Sequence, residues 1–139
     1  RGILGIADDR TLKDYLQCLQ EAGLVMAISK PVKALKSMEK PNRIYLGDSN
    51  IAHALAASGE PDMGSLRETF FCRMVSAKYS VASGGRADFL VDGKFTIEVG
   101  GKNKGQEQIV GKEKAYLALD ELPIGSGVRV PLWLFGFLY

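Results

Sequence analysis

The sequence predicts a mixed α/β chain in which a sheet is flanked by helices. Three observations carry that expectation. Asp92-Gly93 stands between two apolar-alternating runs, 87–91 and 95–99, which is the grammar of a β-hairpin closed by a tight turn. Two segments, 12–24 and 63–78, repeat apolar residues at helical spacing. The elements downstream of residue 62 follow in the order helix, three strands, short helix, strand, so a mixed sheet results.

Thr11-Leu12-Lys13-Asp14 can start the first helix, with the Thr11 hydroxyl reaching the Asp14 N–H and Asp14 favouring the positive dipole end. Leu12, Tyr15, Leu16, Leu19 and Leu24 give it one apolar face, and Gly23 ends it as a left-handed cap. Residues 24–28 read as a strand, 30–42 as a basic loop broken by Pro31 and Pro41, and 43–46 as the returning strand. Helix, cap glycine, strand, basic loop and strand match the second half of a winged helix-turn-helix, whose wing lies against phosphates. A helix–hairpin unit used for protein contacts has the same pattern.

Asp48-Ser49-Asn50 caps a short helix through about Ala57, and 58–62 breaks it, which sets a boundary between segments 1–58 and 59–139. The helix over 63–78 has Leu66, Phe70, Phe71, Met74 and Val75 as its core face, with Glu68 among them. Residues 79–82 read as a strand, followed by the hairpin. Residues 102–109 lead into a short helix, 115–119 form a further strand, and Pro131 opens an apolar terminal helix or strand.

With 46% hydrophobic and 24% charged residues, a packed core is within reach. No apolar run approaches the roughly eighteen residues of a membrane helix, so no membrane partner is expected. Cys18 and Cys72 are isolated and lack CxxC spacing, which predicts two reduced, buried thiols, as in a cytoplasmic protein. His53 is the single histidine, which disfavours His-based zinc sites and His-dependent triads. Arg1 in place of an initiator Met fits a fragment or processed product. The net charge of +2 says little, but its distribution says more. Lys30, Lys33, Lys36, Lys40 and Arg43 face one acid, Glu39, and form a candidate nucleic-acid contact.

Asp88 and Glu98 are the leading candidate site. Strands paired across Asp92-Gly93 place both carboxylates toward the open end of the ribbon. Carboxylates on neighbouring strands, with lysines beyond, suit a Mg²⁺ or Mn²⁺ phosphodiesterase centre: oxygen ligands hold the hard cation and an ammonium offsets phosphate charge. Glu98 lies between Phe95, Thr96, Ile97 and Val99, an apolar setting in which a carboxylate needs a reason. Solvated edge residues are the plainer alternative.

Asp88, then about ten residues, then Glu98 in an apolar strand with a nearby lysine resembles the PD-(D/E)XK nuclease-like superfamily. Gly100 stands in the lysine slot of Glu-X-Lys, and the first lysine is Lys102. A wider set of segments resembles one family. These are Tyr15-Leu16, Glu21-Ala22-Gly23-Leu24-Val25, Lys40-Pro41-Asn42-Arg43-Ile44-Tyr45-Leu46-Gly47-Asp48, Gly64-Ser65-Leu66-Arg67-Glu68-Thr69-Phe70-Phe71, Ala87-Asp88-Phe89-Leu90-Val91 and Phe95-Thr96-Ile97-Glu98-Val99-Gly100-Gly101-Lys102. Together they look like the C-terminal region of a group of prokaryotic AAA-type ATPases. Members carry a P-loop ATPase, a winged-helix segment and a PD-(D/E)XK nuclease-like domain. The resemblance implies a winged-helix-like segment over 1–58 and a restriction-endonuclease-like mixed sheet over 59–139. It also implies an upstream ATPase domain as partner, since these residues contain no phosphate-cradling Gly-x-x-x-x-Gly-Lys-Ser/Thr.

Three functions follow as expectations. One is a nucleic-acid-binding accessory domain whose fold is nuclease-like. The second is an active Mg²⁺-dependent nuclease, with Asp88 and Glu98 as metal ligands, Glu68 assisting, Lys102 or Lys104 in place of the missing lysine, and Gln108 orienting a phosphate or water. The third is a protein-interaction domain that regulates the ATPase.

Overall fold

The structure, a computed structural model, describes residues 8–31, 41–56 and 59–138. It is mixed α/β, with a five-stranded mixed sheet flanked by helices and a separate two-stranded antiparallel sheet.

Helix α1 runs Asp9–Glu21, and its cap is Asp8, whose carboxylate accepts the Arg10 N–H at 3.0 Å. Thr11, the expected cap, therefore lies inside the first turn. An aspartate already stands where the orphan N–H groups begin, and it caps better than threonine. Gly23, at φ +71°, closes the helix, with the Gly23 N–H on the Gln20 carbonyl at 3.0 Å and the Leu24 N–H on Leu19 at 2.9 Å. Despite its apolar stripe, α1 buries none of its residues.

Strands β1 (Val25–Ile28) and β2 (Arg43–Leu46) pair antiparallel, from Val25 opposite Leu46 to Ile28 opposite Arg43. Gly47 donates to the Leu24 carbonyl at 2.7 Å, and a Cβ there would lie 1.7 Å from the Gly23 oxygen, so no side chain fits. Helix α2 (Ser49–Leu55) is capped by Asp48, as expected.

Helix α3 (Met63–Ser76) starts from Asp62, which accepts the Ser65 N–H at 2.7 Å. It buries Thr69, Phe71, Cys72 and Val75. The core face is thus turned from the expected one: Cys72 replaces Met74 at its centre. The helix ends at Ser76, and the Lys78 and Tyr79 N–H groups close one further turn on the Val75 carbonyl. That turn delays the next strand, β3, to Val81–Ser83. Of the two cysteines, only Cys72 is buried; Cys18 lies exposed on α1. Burial pushes the Cys72 thiol up to about 12, which keeps it protonated at neutral pH.

The large sheet adds β4 (Phe89–Val91), β5 (Phe95–Gly100), β6 (Ala115–Leu119) and β7 (Arg129–Pro131) in the order β3-β4-β5-β6-β7. The first two pairings are antiparallel and the last two parallel. Asp92 (φ +50°) and Gly93 (φ +63°) both take positive φ, the turn that the Asp-Gly pair predicts. The expected short helix after residue 102 is a set of turns, with the Ile109 and Val110 N–H groups on the Gln106 carbonyl. Glycines at 105 and 111 bracket too few residues to propagate a helix. Pro131 ends the short strand β7, and a 3-10 helix (Leu132–Phe137) then packs against α3.

One buried cluster joins Phe71, Cys72 and Val75 of α3 to Phe89, Val91, Ile97, Val99 and Ala118 of the sheet and Leu132 of the 3-10 helix. Ile28 and Tyr45 of the small sheet belong to it, so residues on both sides of position 58 share one core. Phe71 stacks on Phe89 at 5.0 Å, and Tyr45 meets Phe89 at 5.5 Å. Ala87, Ile109, Ala115, Leu117 and Leu119 form a second cluster. Among the described residues, no helix is long and apolar enough to cross a membrane.

Candidate functional site

The β4–β5 register pairs Leu90 with Thr96 and Phe89 with Ile97. Continued by one step, it sets Asp88 opposite Glu98. The ladder stops short of that pair because the Asp88 side chain takes over, with its Oδ2 accepting the Val99 N–H at 2.9 Å. Both carboxylates are buried, Asp88 at 8% exposure and Glu98 at 3%. Ionised groups so placed need compensating charge, and each has a different source.

Asp88 is met by Arg43, the first residue of β2. Arg43 Nη1 lies 2.9 Å from Asp88 Oδ1, 3.2 Å from Tyr45 Oη and 3.4 Å from Glu68 Oε2. Tyr45, two residues along the same strand face, donates its hydroxyl to Glu68 Oε2 at 2.7 Å. Glu68 arrives from the middle of α3 and is half-buried. Its bond to Tyr45, its nearness to Arg43 and its place beside Asp88 make it a member of the cluster rather than an exposed helix residue. Burial raises its pKa above the usual carboxylate value; the Tyr45 bond opposes that and the Asp88 charge adds to it. Burial likewise raises Tyr45, which keeps the phenol neutral and able to donate. Bonds to Tyr45 and then Asp88 hold Arg43 above even its ordinary high value.

Glu98 is met by Lys104, whose Nζ lies 2.7 Å from Glu98 Oε1. That bond raises the lysine. A Cβ at Gly100 would sit 2.8 Å from Lys104 Cγ, so the glycine in the expected lysine slot is what lets the Lys104 stem cross the strand end. Lys102, the first lysine in sequence, goes elsewhere. Its ammonium is 3.4 Å from Glu121 Oε2, and its carbonyl accepts the Arg129 guanidinium. Glu121 and Asp120 also bind Arg67.

Comparison with protein-family models, curated proteins and solved structures found no match.

Among the described residues, no group of three or more His, Cys, Asp or Glu side chains stands ready to hold a metal ion. The donor chemistry nevertheless fits Mg²⁺ or Mn²⁺, because Asp88 and Glu98 offer hard oxygens and Glu98 Oε2 is buried without a hydrogen-bond partner. Gln108 Oε1 is also buried and unpartnered, on the turn that follows Lys104. Of the basic-loop residues, Lys30 is exposed, and its backbone N–H binds Asn42 Oδ1 at 2.9 Å. Arg43 points inward to Asp88, whereas Lys33, Lys36 and Lys40 lie outside the described residues.

The structure thus brings Asp88, Glu98, Glu68 and Lys104 together and parts Lys102 from them. Sequence reasoning missed Tyr45 altogether and gave Arg43 another task. In Arg43-Ile44-Tyr45-Leu46, the tyrosine reads as one more strand residue, so no local signal marks it. An apolar cavity of about 370 Å³ lies at the opposite, hairpin end of the sheet, among Phe71, Phe95, Tyr116 and Phe135. Its one acid, Asp92, is held by the Ser80 N–H.

Proposed function

We propose that this chain is an accessory domain that acts on nucleic acid through a nuclease-like, divalent-cation-dependent centre made by Asp88, Glu98, Glu68 and Lys104. The observation that carries this reading is the 2.7 Å contact of Lys104 with Glu98, next to Asp88. An ammonium beside paired carboxylates is the feature that the sequence lacks at position 100 and that the chain's path restores. The antiparallel hairpin continued by parallel strands, with α3 supplying Glu68, supports a restriction-endonuclease-like reading of 59–139. The α1–β1–β2 unit supports a winged-helix-like reading of the preceding segment. The resemblance to AAA-type ATPases makes an upstream ATPase domain the expected partner.

Asp88 and Glu98 would hold a Mg²⁺ or Mn²⁺ ion, which when bound polarises a phosphate and lowers the pKa of an attacking water. Lys104 offsets the negative charge that builds on the phosphodiester. Glu68, whose proton affinity burial has raised, is suited to accept a proton from that water. With three carboxylates against Arg43 and Lys104, the ionised cluster carries one net negative charge, which favours cation entry.

The test is cleavage of duplex and single-stranded substrates with Mn²⁺, against an EDTA control. Metal-dependent cutting should fall by about a hundredfold or more in Asp88→Ala and Lys104→Met. Cutting that survives Asp88→Ala sinks the assignment. A second reading, binding without cutting, draws on the Arg43–Asp88 pair, which already engages one candidate ligand. Salt-sensitive duplex binding with no cleavage in any metal would select it.

A further inference from the structure

We infer that Arg43 is an internal cation that competes with the divalent ion for Asp88, so that β2 sets the metal affinity of the centre. The inference rests on the metal-centre reading above and adds how that centre is controlled.

One guanidinium nitrogen, Arg43 Nη1, has three oxygen neighbours: Asp88 Oδ1 at 2.9 Å, Tyr45 Oη at 3.2 Å and Glu68 Oε2 at 3.4 Å. It stands between two carboxylates from different elements, one on the edge of β4 and one on α3. A nitrogen with two hydrogens cannot serve three acceptors well. Its position is therefore governed by charge as much as by directed bonds. A divalent ion held by Asp88 and Glu98 would face this positive charge at short range, where repulsion is strong even at high effective dielectric.

The competition cannot be relieved by pH, because arginine does not deprotonate in proteins. The guanidinium has to move. Its backbone belongs to β2, a strand paired only with β1 in a small sheet separate from the one that carries Asp88 and Glu98. The ligand set and its competitor thus sit on different sheets, and a shift of one against the other would open Asp88. Tyr45, on the same strand, bonds Glu68 and would move with Arg43. Lys104 has no such role, since it comes from the loop that follows Glu98 itself.

The experiment is direct Mn²⁺ binding to the full chain by isothermal calorimetry, with no nucleic acid present. Arg43→Gln should bind Mn²⁺ at least about tenfold more tightly than wild type. Arg43→Lys, which keeps the charge, should stay within about twofold of wild type. Arg10→Gln, on exposed α1, controls for the change in net charge and should leave affinity unchanged. If Arg43→Gln fails to fold, Arg43→Met, which keeps the stem beside Tyr45, enters the same comparison. Equal affinity in wild type and Arg43→Gln, abolished in both by Asp88→Ala, overturns the competition and leaves the metal centre standing. Binding that persists in Arg43→Gln/Asp88→Ala, or no Mn²⁺ binding to any variant, overturns the centre and this inference with it.

Discussion

The two flanks of the carboxylate pair differ in how far the chain travels to neutralise them. On one flank, Glu98 takes its counter-charge from Lys104, a few residues beyond the end of the same strand. On the other, Asp88 takes it from Arg43, 45 residues earlier, with Tyr45 and Glu68 completing the arrangement. The near flank is built by one strand and one loop, and its geometry depends on the absence of a side chain at Gly100. The far flank requires β2 and α3 to pack around Phe71 and Phe89, because Tyr45 sits in that cluster. The lesson is that a local pair fixes a site's charge, while a distant pair can couple the site to the position of another element.

This contrast can be tested by breaking each flank in turn. The largest effect should come from Lys104→Met, which leaves the buried Glu98 carboxylate unpaired. A loss of about 3 kcal/mol in urea denaturation is expected, at the low end for a broken buried pair because the lysine is itself 36% exposed. Glu98→Gln on top of it should recover most of that loss. A change below about 0.5 kcal/mol for Lys104→Met would show that Glu98 is neutralised by some other group.

Tyr45→Phe tests the far flank at its hydrogen bond to Glu68. About 1.5 kcal/mol should be lost, the lower range for a bond to an ionised group, while the ring contact with Phe89 is kept. A double-mutant cycle with Arg43→Gln should show coupling, since both side chains meet at Glu68. Strict additivity would mean that the far flank is not one unit.

The smallest effects are in pH dependence, and the two flanks should differ in where they respond. Lys104 is raised in the folded state, so its stabilisation is full below its ordinary value of 10.5 and is lost as pH climbs through the raised value. Lys104→Met should erase that alkaline loss. Glu68 is also raised, by burial, so its protonated form favours the fold. Its contribution is full below the ordinary 4.5 and declines as pH rises through the raised value. Glu68→Gln should flatten stability in that acidic window and leave the alkaline limb intact. Thermal melts across the pH range resolve both.

Legibility followed the same division. The Asp92-Gly93 turn, the glycine that ends α1, the Asp48 cap and the placement of Asp88 and Glu98 at the open end of the hairpin are written in neighbouring residues, where turn chemistry and period-two alternation act. Errors arose where neighbours were not the deciding partners. The apolar stripe of α1 promised burial that no described element provides. Spacing left Lys102 and Lys104 both open, and only the turn after Gly101 separates them, sending Lys102 to Glu121 and returning Lys104 to Glu98. Arg43 read as part of a basic loop because its acidic partners lie 25 and 45 residues away.

The sequence by itself determined the long helices, the Asp92-Gly93 hairpin and the two carboxylates at its open end, because each depends on local backbone preference. Only the tertiary structure decided which cations meet those carboxylates and that Tyr45 and Glu68 join them. Buried charge must be compensated by whatever the packing brings within hydrogen-bond reach, and packing is a property of the whole chain.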